Sequence, residues 1–141
     1  MGIAAFMEGY KRAWEGQDEA GFADLFTPDG RYHNTPFQVQ EGRAALMRYW
    51  ERIRHQRDIA LHYAVLAEMP AGGIAQWHVT YQVASEELFA IWAKSAGTGL
   101  PERRPGDPLP RMVLDGVLTA EFTPEGLCRE ARIWWHSMPE G

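Results

Sequence analysis

The sequence holds a single cysteine, Cys128, so no intrachain disulfide can form and nothing calls for an oxidising compartment. It has no apolar run long enough to cross a bilayer. Its N-terminus also lacks the basic start and long apolar stretch of a signal peptide. The expectation is a soluble cytoplasmic protein with no membrane partner. Positive charge is in short supply: 14 Lys and Arg stand against 19 Asp and Glu, a formal net charge of −5. A nucleic-acid surface would need a basic stripe instead. Arg48, Arg52, Arg54 and Arg57 do cluster, and their spacing reads as the solvated face of a helix. The five histidines include no HxH or HxxxH pair, so no metal is expected. No phosphate loop or dinucleotide fingerprint appears, and no cofactor is expected. Cys128 follows a turn with no base beside it in sequence, and reads as a structural thiol rather than a nucleophile.

What is abundant is aromatic: six Trp, five Tyr and six Phe in 141 residues. A chain of this length fits one domain and can bury roughly two-thirds of its unfolded surface. Large aromatics suit a pocket or an interface as well as a core.

Ile3, Phe6, Met7, Tyr10 and Trp14 recur at helical steps and predict a helix ending at Gly16. Asp18 is placed to cap a second, through Phe26. Thr27-Pro28-Asp29-Gly30 reads as a turn before a strand over 31–35. Gly42 opens a third helix, with Leu46, Tyr49, Trp50 and Ile53 on its apolar side. After Arg57 the period becomes two, predicting one strand from Asp58 to Ala67 and, beyond Pro70-Ala71-Gly72-Gly73, a second. In that second strand Ala75, Trp77, Val79, Tyr81 and Val83 share a face. Ser85 is placed to cap a short helix carrying Leu88, Ile91 and Trp92. The stretch 95–110 holds three Gly and four of the nine Pro and reads as a loop, long enough to serve as a lid. Two final strands follow, over 111–123 and 127–137, and the adjacent Trp134 and Trp135 must point to opposite faces. Aromatics on both faces predict that the outer face is covered as well, most simply by a second subunit.

The order helix, helix, strand, helix, then four antiparallel strands predicts an α+β domain with helices on one face of a curved sheet. Phe22-Ala23-Asp24-Leu25-Phe26-Thr27-Pro28-Asp29-Gly30, then Gly42-Arg43 and a helix ending near Trp50, resembles the N-terminal signature of the nuclear-transport-factor-2-like superfamily. Asp115-Gly116-Val117-Leu118, with Phe122, Gly126, Cys128 and Arg132-Ile133-Trp134-Trp135-His136, resembles its SnoaL-like group. The likeness covers the single domain 1–141 apart from about 84–110, which reads as an insertion. It implies a curved antiparallel sheet packed on three N-terminal helices, forming a cone with a central apolar pocket, and a homodimer through the outer sheet face. Ketosteroid isomerases in this superfamily use a carboxylate base and a protonated Asp. Their positions fall near Asn34 and Leu118 here, so steroid-type isomerisation is not expected.

The residues then suggest two sets of candidates. For acid–base catalysis they are His136 and Asp115, should they meet across neighbouring strands, together with His33. For binding a small hydrophobic ligand they are Tyr10, Trp14, Tyr32, Asn34, Trp50, Trp77, Tyr81 and Trp135, because Tyr and Trp carry polar handles that a pocket can use. Function stays open between a cofactor-free isomerase, cyclase or hydrolase and a non-catalytic ligand-binding or dimerisation module.

Overall fold

A computed structural model describes residues 2–95, 103–104 and 106–140. Helix α1 spans Ile3–Glu15 and buries Ile3, Phe6, Met7, Tyr10, Ala13 and Trp14, the stripe that three- and four-residue spacing demands. Helix α2, Glu19–Ala23, is capped by the Asp18 carboxylate accepting from the Gly21 N–H at 2.9 Å. It stops three residues short of the predicted end, because Phe26 already belongs to strand β1.

That strand, Phe26–Thr35, contains the segment expected to be a turn. Both readings have a physical basis. β1 runs parallel to β6 (Cys128–Pro139), pairing Phe26 with Cys128 and then Arg31 with Glu130. Four residues of β1, 27–30, therefore face one of β6 and bulge outward, with the Thr27 hydroxyl bonded to Asp29. A short strand β2, Gln38–Glu41, which the sequence reading did not foresee, pairs back onto β1. Gly42 then turns the chain at φ +87°, a conformation natural to glycine, into helix α3, Arg43–Trp50. Instead of continuing to Ile53 as an α-helix, the chain tightens into a 3₁₀ turn over Glu51–His55.

Strands β3 (Gln56–Met69), β4 (Gly72–Val83) and β5 (Arg111–Phe122) complete a six-stranded sheet in the order β2-β1-β6-β5-β4-β3. Only the β1–β6 pair is parallel. The sheet is curved and unclosed, and the N-terminal helices fill its concave side, as the α+β reading anticipates. Parity holds along β4: Ala75, Trp77, Val79, Tyr81 and Val83 are buried while their neighbours are half-buried. Helix α4, Glu86–Ser95, confirms the helix predicted after Ser85, whose hydroxyl accepts from the Leu88 N–H. Most of the expected lid, residues 96–102 and 105, lies outside the described residues, as does the Trp92 side chain.

Candidate functional site

The concave side is floored by aromatic rings in mutual contact. Phe22 and Trp50 stack face to face at 3.8 Å, and Trp14 packs against both Trp50 and Trp77 at 5.5 Å. Toward the open end of the sheet this packing gives out. A cavity of about 60 Å³ remains, lined by Trp14, Tyr32, Tyr49, Trp50, Arg52, Ile53, Gln56, Trp77, Tyr81, Leu88, Ile91, Leu114, Ile133 and Trp135. Helix α4 lays Leu88 and Ile91 across it. A larger, more open groove of about 480 Å³ lies near the β3–β4 turn, where Met69, Thr119, Glu121, Glu130 and Arg132 are among its lining.

The register brings two of the cavity tryptophans together around a glycine. Trp77, Gly116 and Trp135 sit opposite one another across β4, β5 and β6. A Cβ on Gly116 would lie 2.8 Å from Trp77 Cζ2 and 2.9 Å from Trp135 Cβ. With glycine between them, one indole lies against the strand and the other flanks it.

The polar handles of these rings are mostly spent. Trp14 Nε1 donates to Gln56 Oε1 at 2.7 Å, Trp50 Nε1 to the Ala13 carbonyl, and Trp135 Nε1 to the Asn34 carbonyl. Trp77 Nε1 is the exception: it is buried, on the cavity wall, and has no acceptor. Among the described residues the hydroxyls of Tyr49 and Tyr81 also have no hydrogen-bond partner, whereas Tyr32 and Tyr10 share a bond of 2.7 Å. Burial holds the phenols of Tyr10, Tyr32 and Tyr81 protonated well above their ordinary range and raises that of Tyr49.

Arg52, three residues after Tyr49 across the junction of α3 and the 3₁₀ turn, lies over that ring: its guanidinium carbon is 4.0 Å from the ring centroid and its Nε donates to the Tyr49 carbonyl. The solvated-face reading of the arginines therefore fails at Arg52, although Arg48, Arg54 and Arg57 are exposed. No carboxylate pairs with Arg52 among the described residues.

Of the predicted ligand-binding residues, Trp14, Tyr32, Trp50, Trp77, Tyr81 and Trp135 come together on the cavity wall. Tyr10 stands behind them in the core, bonded to Tyr32. Asn34 is buried but turned to β2, donating to Gln38 and accepting from Gln40. The acid–base candidates lie elsewhere. Asp115 and His136 are direct register partners on β5 and β6, but on the outer, solvent-facing side of the sheet. There Asp115 accepts from Gln76 and meets His78 Nδ1 at 2.9 Å. His33 pairs with Glu130 at 2.7 Å, away from the cavity, and this contact, with Arg132 and Arg31 nearby, holds the Glu130 carboxyl below its ordinary range. Cys128 is buried, and burial pushes its thiol up to about 12. An inert structural thiol is what that environment produces. Sequence reasoning missed Arg52, Tyr49 and Gln56 as cavity residues; the i,i+3 spacing of Tyr49 and Arg52 was the one signal for the first.

Comparison with known proteins agrees with this architecture. The profile of the SnoaL-like domain matches residues 6–125. No curated protein matches the sequence. Among solved structures, the epoxide hydrolase/cyclase-like enzyme SalBIII, from pyran-ring formation in the polyether salinomycin, superposes with a TM-score of 0.67 at 16% identity, covering 94% of this chain and 88% of its own. A candidate polyketide cyclase from Pseudomonas putida KT2440 gives 0.68 at 18% identity, covering 95% and 91%. An uncharacterised cystatin-fold protein from Novosphingobium aromaticivorans gives 0.66 at 14%, covering 95% and 98%. At these identities the likeness speaks for the fold, and with the profile match over most of its length, the chain belongs to the SnoaL-like family of the nuclear-transport-factor-2-like superfamily.

Proposed function

We propose that the chain binds a small, flat, hydrophobic molecule in the aromatic cavity at the open end of the cone. The observation that carries this reading is the buried, unpaired indole N–H of Trp77 on the cavity wall. A buried donor without an acceptor costs about 1–3 kcal/mol, and a dry core gives no reason to retain one. About 60 Å³ is less than the ~300 Å³ typical of ligand pockets, so occupancy requires Leu88 and Ile91 of α4 to move outward. Binding is favoured over acid–base catalysis because no carboxylate or imidazole among the described residues lines the cavity.

A thermal-shift series with planar hydrophobic probes tests this. A ligand at about a hundred times its Kd adds about 2.7 kcal/mol to the native state. The reading expects a saturable rise in Tm that disappears in Leu114→Trp, which fills the cavity. A rise that persists in that variant, or none with any probe, would contradict it.

A second reading concerns assembly and is compatible with the first. On the outer face Trp134 is 46% and Met138 54% exposed, register partners of Val117 and Val113. Exposed apolar groups on adjacent strands are the kind of surface that copies of a chain cover. We propose a homodimer through this face. Sedimentation should give a dimer that Trp134→Glu converts to monomer, and a monomeric wild type would refute it.

A further inference from the structure

Among the described residues, the polar groups on the cavity wall without partners include two that can only donate, the Trp77 indole and the Arg52 guanidinium, and two phenol hydroxyls that can donate or accept. Trp77 offers an indole N–H. Tyr49 and Tyr81 offer hydroxyls that burial keeps protonated, and Arg52 offers the terminal N–H groups of a guanidinium that no described carboxylate neutralises. Among the described residues the one side-chain amide oxygen in the lining, that of Gln56, is already taken by Trp14. Arg52 sits close enough for its charge to act on the phenols of Tyr32, Tyr49 and Tyr81, against the larger effect of their burial. The site is therefore apolar in its walls and electropositive at one side, and among the described residues it offers no charged acceptor.

A neutral hydrocarbon would leave the buried Trp77 donor unsatisfied and displace water from Arg52 without replacing it, and a ligand cation would be repelled by Arg52. A ligand oxygen with full negative charge satisfies them best, since hydrogen bonds to a charged acceptor are roughly twice as strong as neutral ones and Arg52 offers a planar fork. We propose that the cavity selects a planar unsaturated molecule carrying an anionic oxygen, a carboxylate or an acidic enol in its ionised form, with Arg52 pairing to the charge and Trp77 donating to an oxygen. This rests on the binding reading above and sharpens it to a ligand class.

The test is a calorimetric comparison of three isosteric probes on the full chain, in a one-ring series (toluene, acetophenone, benzoate) and a two-ring series (2-methylnaphthalene, 2-acetonaphthone, 2-naphthoate). Dimedone, an acidic enol ionised at neutral pH, distinguishes the two anion sources. In at least one series the carboxylate binds about tenfold or more tighter than the ketone, or dimedone does so against its neutral O-methyl ether. Arg52→Met abolishes that preference while the ketone's affinity is kept, and Arg52→Lys restores part of it. Trp77→Phe weakens the oxygen-bearing probes relative to the hydrocarbon by about fivefold or more. Equal affinity for anion and ketone in every pair, or a preference that survives Arg52→Met in a folded variant, overturns the anion assignment and leaves the pocket standing. No binding by any probe overturns the pocket itself.

Discussion

Raising the pH above 10 should unfold this domain steeply, through the tyrosines around the cavity. Tyr10, Tyr32 and Tyr81 are 0%, 1% and 3% exposed, and burial raises each phenol well above its ordinary value of 10.0. Above pH 10 the unfolded chain therefore loses protons that the folded chain keeps. The folded state then binds more protons than the unfolded state, so stability is complete below pH 10 and falls as pH rises beyond it. Each tyrosine removes about 1.4 kcal/mol per pH unit, and the three together about 4 kcal/mol. Against a typical total of about 5–15 kcal/mol, about one to four pH units suffice to unfold the protein. Tyrosinate absorbance and far-UV circular dichroism, followed on the same samples, should show at least three of the five tyrosines ionising only as the helical signal is lost. Titration of all five near pH 10 with the circular dichroism unchanged would refute the burial argument.

Three further outcomes follow from single contacts. Gly116→Ala should cost about 1–3 kcal/mol by overpacking, since its Cβ would press on the Trp134 carbonyl, the Trp77 indole and the Trp135 Cβ; urea unfolding measures it. Gln56→Leu should cost about 1–3 kcal/mol by stranding Trp14 Nε1, seen as a lower denaturation midpoint, whereas an unchanged midpoint would mean that water replaces the amide. Glu130→Gln should lower the urea midpoint at neutral pH. Its folded carboxyl titrates below the ordinary 4.5, so wild-type Glu130 stabilises above that value and loses the contribution as pH falls below it. The gap between variant and wild type should close in acid, and a gap independent of pH would show that Glu130 acts by packing alone.

Most of the fold was legible because it rests on periodicity. The stripe of α1 and the alternation of β4 each commit one face to the core, and a one-residue error would have turned every side chain around. The opposed exposures of Trp134 and Trp135 follow from the same alternation. What escaped was governed by pairing or by local packing. The bulge at 27–30 carries ordinary turn chemistry, and only the β6 partner makes it part of a strand. β2 is four mostly polar residues held by its neighbour. Arg52 lies in a cluster of exposed arginines, and what singles it out is its half-buried place over the Tyr49 ring, which no residue type announces. The site candidates divided in the same way. Six aromatics picked for the wall face the cavity, since strand parity and helix stripe aim them there. The Asp115–His136 pairing across strands was anticipated, but its side of the sheet was set by Gly116 and Leu114 facing in.

The central claim is that ligand binds against Trp77. Its most direct test is the indole N–H spectrum of protein labelled with ¹⁵N-tryptophan, titrated with 2-acetonaphthone and 2-naphthoate, with the Trp77 signal assigned by its loss in Trp77→Phe. The account predicts that the Trp77 resonance moves saturably, as expected of a free donor acquiring an acceptor, while that of the outward-facing Trp134 stays in place. A saturable shift of Trp134 with Trp77 unmoved would put binding on the outer sheet face and contradict the account.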